Sequence, residues 1–157
     1  MEVTYMITAP VDMIGRLATT NDVQTYMLAG NATITLRSNL SGCRYTYRLR
    51  DTEDRVGTDR RYFVALLTGP DNTGDFTYIG ILLPKMEFKL TPKSKLPRES
   101  KPVAAFDFLL KCLAKNTLPP SFEVWHAGKC GRCGRKLTVP ESVERGIGPD
   151  CATMMGW

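Results

Sequence analysis

Three cysteines, Cys130, Cys133 and Cys151, have the type and spacing to do chemistry in this chain. A Cys-x-x-Cys pair lets two thiolates reach one ion while the tight turn between them aims backbone amides at the sulfurs. Gly131 and Gly134 suit so sharp a turn. Gly148 and Pro149 then mark a helix start, with proline at a first helical position, which places Cys151 in the first turn. Knuckle, short hairpin over Leu137, Thr138 and Val139, then a cysteine on a helix is a treble-clef-like layout. Zinc takes four tetrahedral ligands, so a fourth is needed. A second cysteine pair would put it at 154, but that residue is Met154. His126, the single histidine, is the first candidate, with Asp150 or a water next.

Other uses of these thiols rank lower. A redox pair also reads Cys-x-x-Cys, but a third cysteine lies downstream and no βαβ pattern surrounds the pair. Catalytic zinc needs an open coordination position and a general base, and usually more than one histidine. Glu141 and Glu144 read as helix-turn carboxylates. No P-loop, dinucleotide fingerprint or serine nucleophile elbow is present, so a non-enzymatic protein is expected. The five cysteines are odd in number, and no secretion signal is read at the start, which argues against a disulfide framework. Cys112 falls in a predicted helix and Cys43 in a predicted hairpin loop, and both read as structural or incidental. A soluble intracellular protein with reduced thiols is expected, with no membrane-spanning segment.

The segment CGRCGRKLTVPESVERGIGPDC resembles the C-terminal signature of a family of small phage and prophage proteins of unknown function. The shared pattern is Cys-x-x-Cys-Gly-Arg-x-Leu, Pro-x-Ser and Gly-x-Gly-Pro-x-Cys. Cys130, Cys133, Gly134, Arg135, Leu137, Pro140, Ser142, Gly146, Gly148, Pro149 and Cys151 match it. Looser similarity runs back through LAGNATITL and LLTGPDNTGDFTYIG. The resemblance implies a zinc-binding tail, a viral or mobile-element origin, and the cytoplasm of a host bacterium as the place of action.

The elements that must position these residues read as an α+β fold. A short helix is expected from Asn21 and Gln24, which resemble a capping box, with Val23, Tyr26 and Met27 on one face and Gly30 as its cap. Residues 32–38 and 44–50 alternate as a hairpin; 61–68 and 76–83 form a second pair around a turn-rich loop. Together they make a four-stranded antiparallel meander, and residues 86–90 can add an edge strand. Ser100 and Pro102 open a helix whose Val103, Phe106, Leu109, Leu110 and Leu113 line one side. Its apolar side is expected to cover one face of the sheet. The predicted domains are 1–119, a small antiparallel sheet with a covering helix, and 120–157, a zinc module. Structural zinc should contribute about 10 kcal/mol of apparent binding free energy to folding of that module.

Net charge is +5, and the excess is local. Residues 85–115 hold eight basic and three acidic side chains, whereas the flanking regions nearly balance. Lys89, Lys93 and Lys95 in this stretch, Arg44, Arg48 and Arg50 on one face of a strand, and Arg132, Arg135 and Lys136 around the knuckle are the candidate contacts to a partner. Tyr45 and Tyr47 point away from that arginine face, which leaves it without the aromatic interleaving of a base-stacking platform. Two readings follow. In the first, the protein binds and occludes a host protein, a component of antiviral defence for example, or a nucleoprotein complex. In the second, it is a nucleic-acid-binding accessory protein that contacts DNA or RNA through its basic segment and knuckle.

Overall fold

The computed structural model describes residues 14–52, 60–69, 74–137, 143 and 146–154. Its elements run β1 (Gly15–Arg16), α1 (Thr20–Met27), β2 (Asn31–Ser38), β3 (Arg44–Asp51), β4 (Tyr62–Leu67), β5 (Phe76–Leu83), β6 (Glu87–Lys89), α2 (Lys101–Ala114), β7 (Phe122–His126) and α3 (Pro149–Met154). The strands form one antiparallel sheet in the order β1-β7-β2-β3-β4-β5-β6. The α+β class is as expected, and the meander of four strands is its middle.

The largest difference from the sequence reading is β7. The segment FEVWH follows two prolines and falls within the predicted module of residues 120–157. It instead inserts between β1 and β2, pairing Ile34 with His126 and Ser38 with Phe122. A boundary at 120 would cut through the sheet, so the two-domain division is corrected to a single sheet with the cysteine end built onto it. The predicted capping box is also corrected. Thr19 is the N-cap of α1 and its hydroxyl accepts from the Asp22 N–H at 3.1 Å, while Asn21 lies inside the helix. Ser100 occupies the N-cap position of α2, but its hydroxyl donates to Pro97 O instead of capping the helix.

Side chains alternate across each strand, so the register decides which residues share a face. Ile34, Leu36, Tyr45, Tyr47, Leu49, Val64 and Leu66 are buried on the inner face. Val103, Phe106, Leu109 and Leu113 of α2 and Val23, Tyr26 and Met27 of α1 belong to the same core. Phe106 is the hub: its ring lies 5.2 Å from Tyr47 and 5.0 Å from Phe88. The Tyr47 hydroxyl is spared a desolvation cost by donating to Pro102 O at 2.6 Å. Phe108, two residues further along the helix, is half exposed and its ring lies edge-on to Phe122 at 5.0 Å. Phe106→Ala is therefore expected to lose about 3–5 kcal/mol of stability. Phe108→Ala should lose only about 1 kcal/mol, and urea denaturation of the two variants side by side measures the difference.

Candidate metal centre and the outer sheet face

After β7 the chain turns at Gly128 and runs into the knuckle. The Cys130 N–H donates to Arg135 O at 2.8 Å and the Gly134 N–H to Cys130 O at 2.9 Å, closing a tight loop. Lys129 and Lys136 form an antiparallel bridge at its base. The candidate strand over Leu137, Thr138 and Val139 has only Leu137 within the described residues. Cys151 is the third residue of α3, which begins at Pro149, as the sequence reading had it.

The ligand atoms of Cys130, Cys133 and Cys151 all lie within 4.8 Å of one another. Three sulfurs at about 2.3 Å from one tetrahedral ion would stand about 3.8 Å apart, so the cluster can hold a metal ion with little movement. Cys130 and Cys151 are buried and Cys133 is exposed. Burial alone would raise the Cys130 thiol, but backbone N–H groups of Gly148, Cys133 and Arg132 aim at its sulfur and hold it below the usual value. Burial also dominates at Cys151 and pushes that thiol up, against the guanidinium of Arg132, whose Nη1 lies 3.6 Å from the sulfur. These are the donors a thiolate ligand needs around it, and a bound cation would supply the remaining charge.

His126 does not join the cluster, which corrects its assignment as a ligand. It is wholly buried on the inner face, where its ring centroid sits 5.5 Å from that of Tyr26. Nδ1 accepts from the Gly128 N–H at 3.0 Å, and Nε2 is hydrogen-bonded to Val143 O. Both nitrogens are thus used to fix the turn into the knuckle and the segment leading to α3. Asp150 and Met154 line a cavity of about 420 Å³ together with Cys133 and Cys151, on the side of the knuckle that carries Arg132, Arg135 and Lys136.

Tyr26 locks this end to the sheet. Its hydroxyl reaches Lys129 O at 3.2 Å and Thr33 O at 3.3 Å. Its ring lies where a side chain at Gly131 or Gly146 would sit: a Cβ there would stand 2.7 Å or 2.6 Å from the ring edge. Gly131 and Gly146 are therefore required by close packing against an aromatic ring.

The outer face of the sheet, opposite α2, gathers several of the predicted contacts. Arg48 and Arg50 pair with Ala65 and Phe63 of β4, and Ala65 with Tyr78 of β5. Arg48 stacks over the Phe76 ring at 4.4 Å. Burial and the neighbouring charge of Arg50 lower its pKa. Phe63 is 48% exposed and meets Tyr78 edge-on at 6.0 Å. The aromatic interleaving that β3 lacks is thus supplied by β4 and β5, which corrects the expectation of a face without it. Lys89 shares this face through its pairing with Ile81. The turn carrying Lys93 and Lys95 is tied to it by Tyr78 Oη to Thr91 Oγ1 at 3.1 Å and by the Lys95 N–H to Tyr78 O at 3.1 Å.

Arg44 stands apart, opposite Arg37 at the far end of β3, about 13 Å along the strand from Arg48. There the buried Glu123 offsets the local positive charge. Its carboxyl would be raised by burial, but Trp125, Arg16, Asn39 and Arg37 together hold it low. Lys101 and Lys111 of α2 and Lys115 at its C-cap are exposed on the other side of the sheet, so the charge of the 85–115 segment is divided between two faces.

A model of DUF6011, a family of unknown function, matches residues 123–156. The matched span starts within β7 and takes in all three cysteines. No curated protein and no solved structure matches the chain. No helix among the described residues is long and apolar enough to cross a membrane.

Two outcomes follow from this geometry. His126→Gln is expected to keep one metal ion per chain while losing about 1–3 kcal/mol of stability through unsatisfied buried groups. Cys151→Ser should lose the metal, and metal analysis after dialysis separates the two. Burial, against the bond to Val143, lowers the His126 pKa from 6.5. A lowered folded value means that the stability this residue contributes is complete above 6.5 and is lost as pH falls through the folded value. The C2 proton signal of this single imidazole should therefore titrate below 6.5.

Proposed function

We propose that this chain is a nucleic-acid-binding accessory protein whose outer sheet face takes single-stranded DNA or RNA, with a zinc ion stapling a treble-clef-like end. One observation carries the reading: Arg48 and Arg50 lie among Phe63, Phe76 and Tyr78 on the face that α2 leaves uncovered. Aromatic rings accept unstacked bases of any sequence, and guanidinium groups pair with the phosphates between them. Single strands fit better than duplex, whose bases are already stacked and whose grooves this broad face cannot enter. The sulfur-rich donor set favours zinc over hard, oxygen-seeking ions. Such a site fits a compartment that keeps thiols reduced, and the resemblance of the cysteine segment to phage proteins supports the cytoplasm of a host bacterium as that compartment.

The competing reading, occlusion of a host protein, rests on the resemblance and on the absence of catalytic motifs. Fluorescence anisotropy with a labelled single-stranded oligonucleotide separates the two. Binding is expected at low salt, weakening as salt rises with a slope of about 0.7 per phosphate contact in log–log form. Phe63→Ala should cost roughly 1–3 kcal/mol of affinity while leaving the fold intact, because that ring is half exposed. No binding at low salt would reject the nucleic-acid reading and leave the host-protein reading in its place, whereas full affinity in the Phe63 variant would reject the sheet face as the contact surface.

A further inference from the structure

Where the knuckle meets the outer face, the two enclose a groove. Its walls are Asn31 and Thr33 of β2, Arg48 and Arg50 of β3, Phe76 of β5, and Lys129, Cys133 and Gly134 of the knuckle, around a cavity of about 250 Å³. Three of its lining residues are cations and none is a carboxylate. The space is several times the roughly 30 Å³ a water occupies in the liquid, so a phosphate group fits with waters to spare.

We propose that this groove is a phosphate-binding seat, with Arg50 and Lys129 as the groups that approach the anion from its two walls. Asn31 and Arg50 face each other across the β2–β3 ladder, so both project to the outer face. Asn31 Nδ2 lies so close to Gly134 that a Cβ there would stand 2.8 Å away, which puts an amide donor at the seam. Gly134 has φ +80°, a conformation that holds the knuckle against this strand without a side chain in between. The far wall is set by the metal loop. Lys129 O accepts from Tyr26, the Lys129–Lys136 bridge closes the loop, and the Asn31 N–H donates to Gly131 O at 2.6 Å. These bonds fix the far wall of the groove beside the three thiols.

The seat rests on the nucleic-acid reading only for the molecule that carries the phosphate. A single strand lying over Phe63 and Tyr78 would continue into the groove; a free phosphate compound offers the same chemistry.

The test is an amide-resolved NMR titration of the metal-loaded, full-length chain with pyrophosphate at constant ionic strength. Saturable shifts concentrated at Asn31, Thr33, Lys129 and Gly134 are expected, with at least a tenfold loss of affinity in the Arg50→Gln, Lys129→Gln double variant. Shifts that do not saturate, or an unchanged double variant, would overturn the seat. The same two proteins are then compared on the labelled oligonucleotide. Loss of two contacts should lower the salt slope by about 1.4, which supports the backbone of a nucleic acid as the source. Saturable pyrophosphate binding with no oligonucleotide binding would keep the seat, assign it to a free phosphate compound, and reject the sheet-face reading. Oligonucleotide binding with an unchanged slope and no pyrophosphate response would reject the seat and leave the sheet face standing.

Discussion

The pairing of β7 between β1 and β2 is the constraint on which the rest of this structure depends. Five residues of β7 lie in register with β2, and two of them pair on the other side with β1. Each ladder bond contributes only about 1 kcal/mol net, but leaving those backbone groups buried and unpaired would cost more. The same strand delivers His126 into the core and releases the chain at Gly128 directly into the knuckle. From there the bonds of Tyr26 to Lys129 O and of Asn31 N–H to Gly131 O tie the cysteine loop to α1 and β2. Free energy that an ion bound by the three thiols would supply would thus reach the start of β2 and the end of α1, because those elements share hydrogen bonds with the loop that carries the thiols.

The two faces of the sheet meet different demands. The inner face is closed by α2 and α1, and its aromatic residues interlock around Phe106. The outer face carries paired hydroxyls at its centre, where Thr35 and Thr46 are buried and bonded at 2.8 Å, and charge to either side. Toward β7, Glu123 balances Arg37 and Arg16, and the indole N–H of Trp125 donates to that carboxylate at 2.9 Å. Toward β4 and β5 the neighbours of Arg48 and Arg50 include the rings of Phe63, Phe76 and Tyr78. Arginines and aromatic rings therefore coincide on one half of one face, beside the cysteine loop, and the proposed nucleic-acid reading rests on that coincidence.

Much of this was legible from local patterns. The hairpin strands, the edge strand near 87–89, the amphipathic α2 and the placement of Cys151 in a first helical turn all come from periodicity, proline and glycine signals within a few residues of each other. The three converging thiols were legible for the same reason: a Cys-x-x-Cys turn fixes its own geometry, and a proline-started helix fixes the third sulfur. His126 misled because composition made it the one histidine to consider, and only its buried neighbours reveal that both nitrogens are engaged.

The sequence by itself determined the secondary elements, the apolar stripe of α2 and the sulfur donors, since each depends on short-range spacing along the chain. Tertiary structure alone decided that FEVWH is an inner strand, that the cysteine end is continuous with the sheet, and that the arginines of β3 stand among rings from β4 and β5. Those outcomes depend on which strands become neighbours. Strand pairing is set by burial of whole faces and by register across dozens of residues, and no window of local sequence contains that information.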